Sequence, residues 1–340
     1  MASLNTQIVS SLSTAQLASL SSLQFQSLNT SQIAAIQTAQ AAGLTPSQIS
    51  QLDTSDLAAL KTSVLAALST DQIAALTVDQ VAGMGLTAFR ALTSTQMGAI
   101  GTPQIQALTT AQAAAMTSTQ AAGLTTQQIV ALETADLSKL PAAVISGLST
   151  SQIGALTADQ VAALTSTQLA ALSGPQLATL GLGAIQSLTT DQAAKLTSTQ
   201  IAGLSTTQIA AMETADLAQI GTAAIAGLTT AQMAALTGDQ IAALSTAQFA
   251  KLTSTQLGAI ATTQIPSLTT DQVAVMSAAQ AAGLTSSQIG NLETADLGAL
   301  TTSVITGLTT TQMAGLTGDQ VASLGTTQFS KLTSTQLGAL

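Results

Sequence analysis

Apolar residues recur along this chain with a period of eight. Counted from Asn5, residues 5–340 divide into 42 consecutive octads with no insertion or deletion. The eighth position is Leu, Ile or Met in every octad, the fifth is apolar in every octad, and the fourth is Gln in 31 of them. The consensus reads Thr/Ser-Thr-x-Gln-Ile-Ala-Ala-Leu. Such a strict period indicates a repeat protein in which each octad is one structural unit.

Each octad carries the signature of a helix start. The first position is Ser, Thr, Asn, Asp or Gly in 35 of the 42 octads, and these residues are preferred at a helix N-cap. A Gln three residues later completes a capping box, and the preceding Leu and the fifth-position apolar residue form the pair of a hydrophobic staple. The pattern therefore predicts a two-turn helix in every octad, with positions 5 and 8 on its buried face.

The few charges agree with this prediction. All fifteen acidic residues lie at positions 1, 3 or 4, and five of the six basic residues lie at positions 6 or 7, with Lys61 as the exception. Acids near a helix start and bases near its end are stabilised by the helix dipole. Four of the five prolines lie at positions 1–3, where a missing amide costs little; Pro266, at position 6, does not fit.

Two other folds explain the octad pattern less well. In one continuous helix the apolar stripe would drift by about 80° per octad and form no coherent seam. A β-solenoid with threonine faces accounts for Thr-x-Thr motifs such as Thr93–Thr95, but not for the Ala, Leu and Gln enrichment or the charge polarity. A two-turn helix is too short to be stable alone, so the predicted fold is an all-α solenoid, a superhelix of stacked octads.

A longer period of ten octads lies above the basic repeat. An acidic octad recurs at this spacing, and the octad after it always lacks the position-4 Gln, with Val64, Val144, Ala224 and Val304 there instead. We interpret residues 1–340 as one continuous array with four duplicated units, 21–100, 101–180, 181–260 and 261–340. If ten octads make a whole number of coils, two or five octads per coil fit better than three.

Composition excludes several classes of function. The chain has no His, Cys, Trp or Tyr, which removes the usual general bases, thiol nucleophiles, zinc sites and disulfides. Six Lys and Arg against fifteen Asp and Glu give a net charge of −9, which argues against nucleic acid as a partner. We expect no enzyme activity, no cofactor, no membrane span and no recognisable signal peptide in the first residues.

The acidic octads supply the candidate chemistry. Paired carboxylates three residues apart form half of an oxygen-ligand calcium site; the alternative is an acidic N-cap with Asp at N3, both stabilising a helix start, and we favour this alternative. The candidate pairs are Asp53 and Asp56, Glu133 and Asp136, Glu213 and Asp216, and Glu293 and Asp296. The position-4 Gln has two interpretations as well: a local capping box, which we favour, or hydrogen-bonded rows between repeats.

The pattern favours a structural function. Solenoid ends normally carry polar capping repeats, but residues 1–4 lead directly into the first octad, and the last, Thr333–Leu340, is a standard repeat. Uncapped ends predict self-association of copies head to tail into an open filament; alternatively, the chain is one stretch of a longer array whose continuation caps it. The alternative is a binding module whose Thr- and Ser-rich faces adhere to a host surface, a polysaccharide or ice.

Tandem Leu-Thr-Thr-x-Gln-Ile-x-Ala-Leu units, seen here as Leu228–Leu236, resemble the low-complexity repeats of large bacterial secreted or surface-attached proteins of the adhesin type. The resemblance covers nearly the whole chain. It implies an extracellular or cell-surface location and a structural or adhesive role, and its motif carries no catalytic residue.

Overall fold

Each octad holds one short helix. The computed structural model describes residues 5–340, and across this range 40 α-helices and two 3-10 helices follow one another at one per octad. The chain forms two compact units, Met1–Ala171 and Leu172–Leu340. Within each unit the short helices stack as an α-solenoid, so the predicted fold class is confirmed. Strands do not occur in residues 5–340, and the β-solenoid alternative is wrong.

The helices of the first unit are four to six residues long, with one 3-10 helix at Thr38–Gly43. Its α-helices are Thr6–Ser11, Thr14–Ala18, Ser22–Gln26, Thr30–Ala34, Pro46–Ser50, Thr54–Ala59, Thr62–Ala66, Thr70–Ala74, Val78–Ala82, Leu86–Ala91, Ser94–Ala99, Thr102–Gln106, Thr110–Ala115, Ser118–Ala122, Thr126–Ala131, Thr134–Leu137, Ala142–Ser146, Thr150–Gly154, Ala158–Ala163 and Ser166–Ala170.

The second unit repeats the pattern, with its 3-10 helix at Thr262–Ser267. Its α-helices are Gly174–Leu177, Leu182–Gln186, Thr190–Ala193, Ser198–Gly203, Thr206–Ala211, Thr214–Gln219, Thr222–Ile225, Thr230–Ala235, Gly238–Ala243, Thr246–Phe249, Ser254–Gly258, Thr270–Ala274, Ala278–Ala281, Ser286–Gly290, Thr294–Ala299, Thr302–Gly307, Thr310–Met313, Gly318–Ser323, Thr326–Phe329 and Ser334–Leu337.

The helix starts follow from local hydrogen bonds. In the octad that begins at Thr125, the Thr125 hydroxyl accepts from the Gln128 amide at 3.2 Å, and the Gln128 side-chain oxygen accepts from the Thr125 amide at 2.6 Å. The octad ends when Leu132 returns to an extended conformation, with φ −61° and ψ 130°. The predicted capping box is confirmed, and because the helix breaks at every eighth residue, the single long helix is excluded.

The core is built from positions 5 and 8. Ile129 and Leu132 of the same octad are 0% and 2% exposed, and the position-8 methionines, such as Met116, are buried as well. Burying an aliphatic side chain of this size stabilises the fold by about 1.5–3 kcal/mol. The helices have four to six residues, fewer than the predicted two turns. Since so short a helix supplies little stability of its own, this shared core holds the octads in place.

Helices that pack against each other lie three octads apart along the chain. Ser118–Ala122, for example, packs on Ser94–Ala99 and on Ala142–Ser146. The position-4 Gln side chains reach one octad further, to the octad four positions earlier. Within each unit a coil therefore takes between three and four octads, and the expectation of two or five octads per coil is wrong.

Close approach between coils depends on small residues. A Cβ built on Gly123 would lie 2.7 Å from the Ser94 Cα, and one built on Gly283 would lie 2.6 Å from the Ser254 carbonyl carbon. Both distances are below van der Waals contact, so these glycines allow backbone to pack on backbone three octads away. Among residues 5–340, no helix combines the length and apolar character that crossing a membrane requires.

Candidate functional site

The position-4 Gln side chain joins one coil to the next. Its oxygen caps its own helix, while its Nε2 donates to two main-chain carbonyl groups four octads earlier. Gln128 Nε2 donates to the Met97 and Ile100 carbonyls at 2.8 and 2.6 Å. In the second unit, Gln240 Nε2 donates to the Ile209 and Met212 carbonyls, both at 2.8 Å. Gln128 and Gln240 are each 2% exposed, so these bonds are protected from water.

The same arrangement forms a ladder along each unit. The carbonyl acceptors mostly belong to positions 5 and 8, 31 and 28 residues before the glutamine. In some octads the position-6 carbonyl, 30 residues earlier, is an acceptor as well or takes the place of position 5, as for Gln256 and Ala226. The two interpretations of the glutamine are therefore not alternatives. The capping box is made by one end of the amide and the contact between repeats by the other, and its acceptors are backbone carbonyls rather than neighbouring glutamines.

The acidic octads interrupt this ladder. They place Asp at position 4, and the octads after them place Val or Ala there. Val144, which follows the Asp136 octad, is 3% exposed. At these two successive positions no glutamine amide reaches the preceding coil. The gap recurs once in every ten octads.

The first residue of each candidate pair lies at a helix N-cap, but only one of the four caps its helix. Asp53 accepts from the Asp56 amide at 2.7 Å and from the Ser55 hydroxyl at 2.7 Å, and the Ser55 hydrogen bond, followed by the Asp56 amide, holds the pKa of Asp53 below its usual value. Glu133, Glu213 and Glu293 make no side-chain capping bond. All four acidic residues thus lie at the predicted N-cap with Asp at N3; the capping hydrogen bond is present for Asp53 and absent for the three glutamates.

The second residue of three pairs is buried, which the sequence did not reveal. Asp136, Asp216 and Asp296 are each 2% exposed, and the Oδ2 atom of each is buried without a hydrogen-bond partner. The Thr270 hydroxyl donates to Asp296 Oδ1 at 2.8 Å. Asp56, in the first pair, is only half-buried. The sequence did contain one signal for this burial. These aspartates lie at the fourth position of the octad, which in most octads carries the buried glutamine.

Burial changes the protonation of these aspartates. Loss of hydration raises the pKa of Asp136, and the nearby Glu133 raises it further. The same two causes, with Glu213 as the neighbour, raise the pKa of Asp216 to about 6. Burial also raises the pKa of Asp296, against the opposing effect of the Thr270 hydrogen bond. A carboxylate that loses water without gaining donors favours its neutral form.

The acidic residues are dispersed rather than clustered. Across residues 5–340, no three acidic side chains come close enough to hold a metal ion together. A calcium site needs six or more oxygen ligands, so each pair would need most of its ligands from other groups. Calcium binding at the four pairs, the less favoured of the two interpretations, stays untested.

Comparison with known proteins identifies a family for this chain. The model of the family described as "ALTTAQ repeat" matches residues 49–86, 129–166, 209–246, 241–270 and 289–326, together just over half of the chain. The family's letters are read across an octad boundary, as in Ala107–Gln112. Four of the matches begin at positions 49, 129, 209 and 289, which is the spacing of the acidic octads. A search of curated proteins finds no match to the chain.

Proposed function

Because the chain belongs to the ALTTAQ repeat family, we propose that it is a structural protein whose octads stack into an extracellular fibre or a surface-appendage filament. Its role is then mechanical rather than catalytic. The observation that supports this proposal is the direction of stacking, which gives every octad two different faces.

One face of each octad contacts the preceding octads, and the other face contacts the octads that follow. Gln248 lies on the first face and donates to the Ile220 carbonyl, 28 residues earlier, at 2.7 Å. Phe249 lies on the second face and is fully buried. Phe329 and Leu337, at the same fifth position of later octads, are 45% and 42% exposed. Position 5 is therefore covered by the octads that come after it.

The opposite face is open in the first described octads. Ile8, at the fourth position, is 42% exposed, and Gln16 is exposed as well. Two different faces that fit each other make a heterologous contact, and such a contact repeats into an open filament when it does not close into a ring. We propose that the position-5 face of the array, exposed here at Phe329 and Leu337, packs in another copy on the position-4 face, exposed here at Ile8 and Gln16.

Electron microscopy of the purified chain tests this proposal. We expect filaments at high protein concentration, with a sedimentation coefficient that rises with concentration. Phe329→Asp combined with Leu337→Asp should abolish elongation, because two charges would be buried at the contact.

The matched control is Leu182→Asp, since Leu182 is exposed to a similar degree, 49%, but lies far along the chain from either face. This variant should still elongate. Monodisperse particles of the unmodified chain at high concentration would exclude the filament. Binding of those monomers to a polysaccharide, or thermal hysteresis in ice, would favour the adhesive alternative instead.

A further inference from the structure

Three aspartates stand where the fold elsewhere uses a hydrogen-bond donor. Asp136, Asp216 and Asp296 occupy the fourth position of octads that recur at the longer period, and each has an Oδ2 atom that is buried without a partner. Leaving a buried polar atom unpaired destabilises the folded state. Because the same unpaired oxygen recurs in three octads, this arrangement requires a physical explanation.

The surroundings of the fourth position contain acceptors. Glutamines before and after Asp136 donate to main-chain carbonyls 28 and 31 residues earlier: Gln128 to those of Met97 and Ile100, and Gln152 to those of Ala121 and Leu124. If the same spacing holds for Asp136, the corresponding carbonyls are those of Ile105 and Leu108, 31 and 28 residues earlier. An ionised carboxylate has no proton to give to a carbonyl group and is repelled by it, whereas a protonated carboxyl group is a donor.

We propose that, in mildly acidic solution, Asp136, Asp216 and Asp296 are neutral carboxylic acids in the folded protein and donate their protons to main-chain carbonyls of the preceding coil, so that acid strengthens the stack. The protonated aspartate thereby replaces the glutamine Nε2 group. The proton is taken up from solvent, and no other bond changes.

The charged residues around the three aspartates are mostly acidic. For Asp136, the packed helix Thr110–Ala115 carries no charge, and the charged residues of Ala158–Ala163 and of its own octad are exposed. For Asp216 and Asp296, the corresponding earlier helix carries one exposed aspartate, Asp191 or Asp271. The full set is Glu133, Lys139 and Asp159 around Asp136; Asp191, Lys195, Glu213 and Asp239 around Asp216; and Asp271, Glu293 and Asp319 around Asp296. Acidic neighbours disfavour ionisation of the buried carboxyl group.

The sign of the pH dependence follows from these shifts. The pKa of Asp216 is about 6 in the folded chain and 3.8 in the absence of burial, so the folded state holds a proton that the unfolded state has lost over this interval. Stability is therefore greatest below pH 3.8 as far as this group is concerned, falls as the pH rises toward 6, and is constant above that. Asp136 and Asp296 shift in the same direction.

Urea unfolding at pH 5 and pH 7.5 tests the proposal. Exposed carboxylates are ionised at both values, and circular dichroism is the suitable probe because the chain has no Trp or Tyr. We expect the unmodified chain to have a higher unfolding midpoint at pH 5. In the triple variant Asp136→Asn, Asp216→Asn, Asp296→Asn the amide donates at both pH values, so the two midpoints should coincide.

A matched control and a direct readout complete the experiment. Asp56→Asn alters the half-buried aspartate at the equivalent position, and it should leave the pH difference unchanged. The infrared spectrum of the unmodified chain at pH 5 should contain a carbonyl stretch of protonated carboxyl groups that is absent from the triple variant. This spectrum decides the case even if the triple variant fails to fold.

Three results would overturn the proposal. The first is equal midpoints of the unmodified chain at the two pH values, and the second is a triple variant that keeps the pH difference. The third is stabilisation of the unmodified chain, but not of the triple variant, by calcium chloride at pH 7.5, because a bound cation would then occupy the place assigned to the proton. None of these results depends on filament formation.

Discussion

At the scale of single residues, glutamine performs two tasks with one amide. Its oxygen satisfies the amide of the N-cap residue, and its nitrogen satisfies two carbonyls of the preceding coil, as in Gln128. Glu has no N–H group to donate, and Asn, which is shorter by one methylene, cannot reach the N-cap amide and the preceding coil at the same time. The sequence indicated the first task through the Thr-x-x-Gln spacing; the second required knowledge of which octads are neighbours.

Removing one such glutamine should be costly. Gln128→Ala deletes the capping contact and two buried hydrogen bonds, so we expect a loss of about 2–3 kcal/mol in the free energy of unfolding. Gln16→Ala is the matched control. Gln16 is exposed and its oxygen makes the capping bond alone, so the loss should be about 1 kcal/mol or less. Equal losses in urea unfolding would show that the contact between coils adds no stability.

At the scale of the helix, the capping signal predicted the starts well and the local geometry less well. Two octads form 3-10 rather than α-helices. In Thr262–Ser267 the reason is Pro266, which has no amide to donate to the carbonyl four residues earlier. The proline that did not fit the sequence pattern thus marks a real departure from the α-helix. The 3-10 helix Thr38–Gly43 has no proline, and its residues give no physical reason for the difference.

Replacing this proline should restore an α-helix. Pro266→Ala supplies the missing amide and removes the clash with the preceding turn, so we expect the free energy of unfolding to rise by about 1–3 kcal/mol. Pro103→Ala serves for comparison, because Pro103 lies in the first turn of Thr102–Gln106, where no amide donor is required. Its effect should be within about 0.5 kcal/mol. A loss of stability in Pro266→Ala, measured by urea unfolding, would contradict this account.

At the scale of the whole molecule, two residues come into contact when a fixed number of octads separates them along the chain. Helices pack three octads apart, and glutamines reach four octads back, in each of the two units. These contacts therefore stay within a neighbourhood of four octads along the chain. Stability in such a protein is approximately a sum over repeats and their interfaces. We therefore expect the fold to tolerate the loss of a whole octad better than the loss of part of one.

Two deletions, one of a whole octad and one of half an octad, test this expectation. Removing Thr157–Leu164 joins Leu156 to Thr165 and keeps the period of eight, so helix content per residue should be retained. Removing only Thr157–Gln160 takes a cap and its glutamine but leaves the apolar half of the octad. We expect circular dichroism to show a loss of helix and the urea midpoint to fall further than for the longer deletion. A fold that tolerated both equally would not depend on the octad register.

The sequence by itself determined the helix boundaries and the identity of the core. Caps, staples and the apolar positions 5 and 8 act within one octad or at its border. They can therefore be predicted from the residues of one octad and its immediate neighbours. Tertiary structure alone decided the number of octads in a coil, the second use of the glutamines and the burial of Asp136, Asp216 and Asp296. These properties depend on residues three to four octads apart, and because all octads are nearly alike, no local pattern specifies which of them become neighbours.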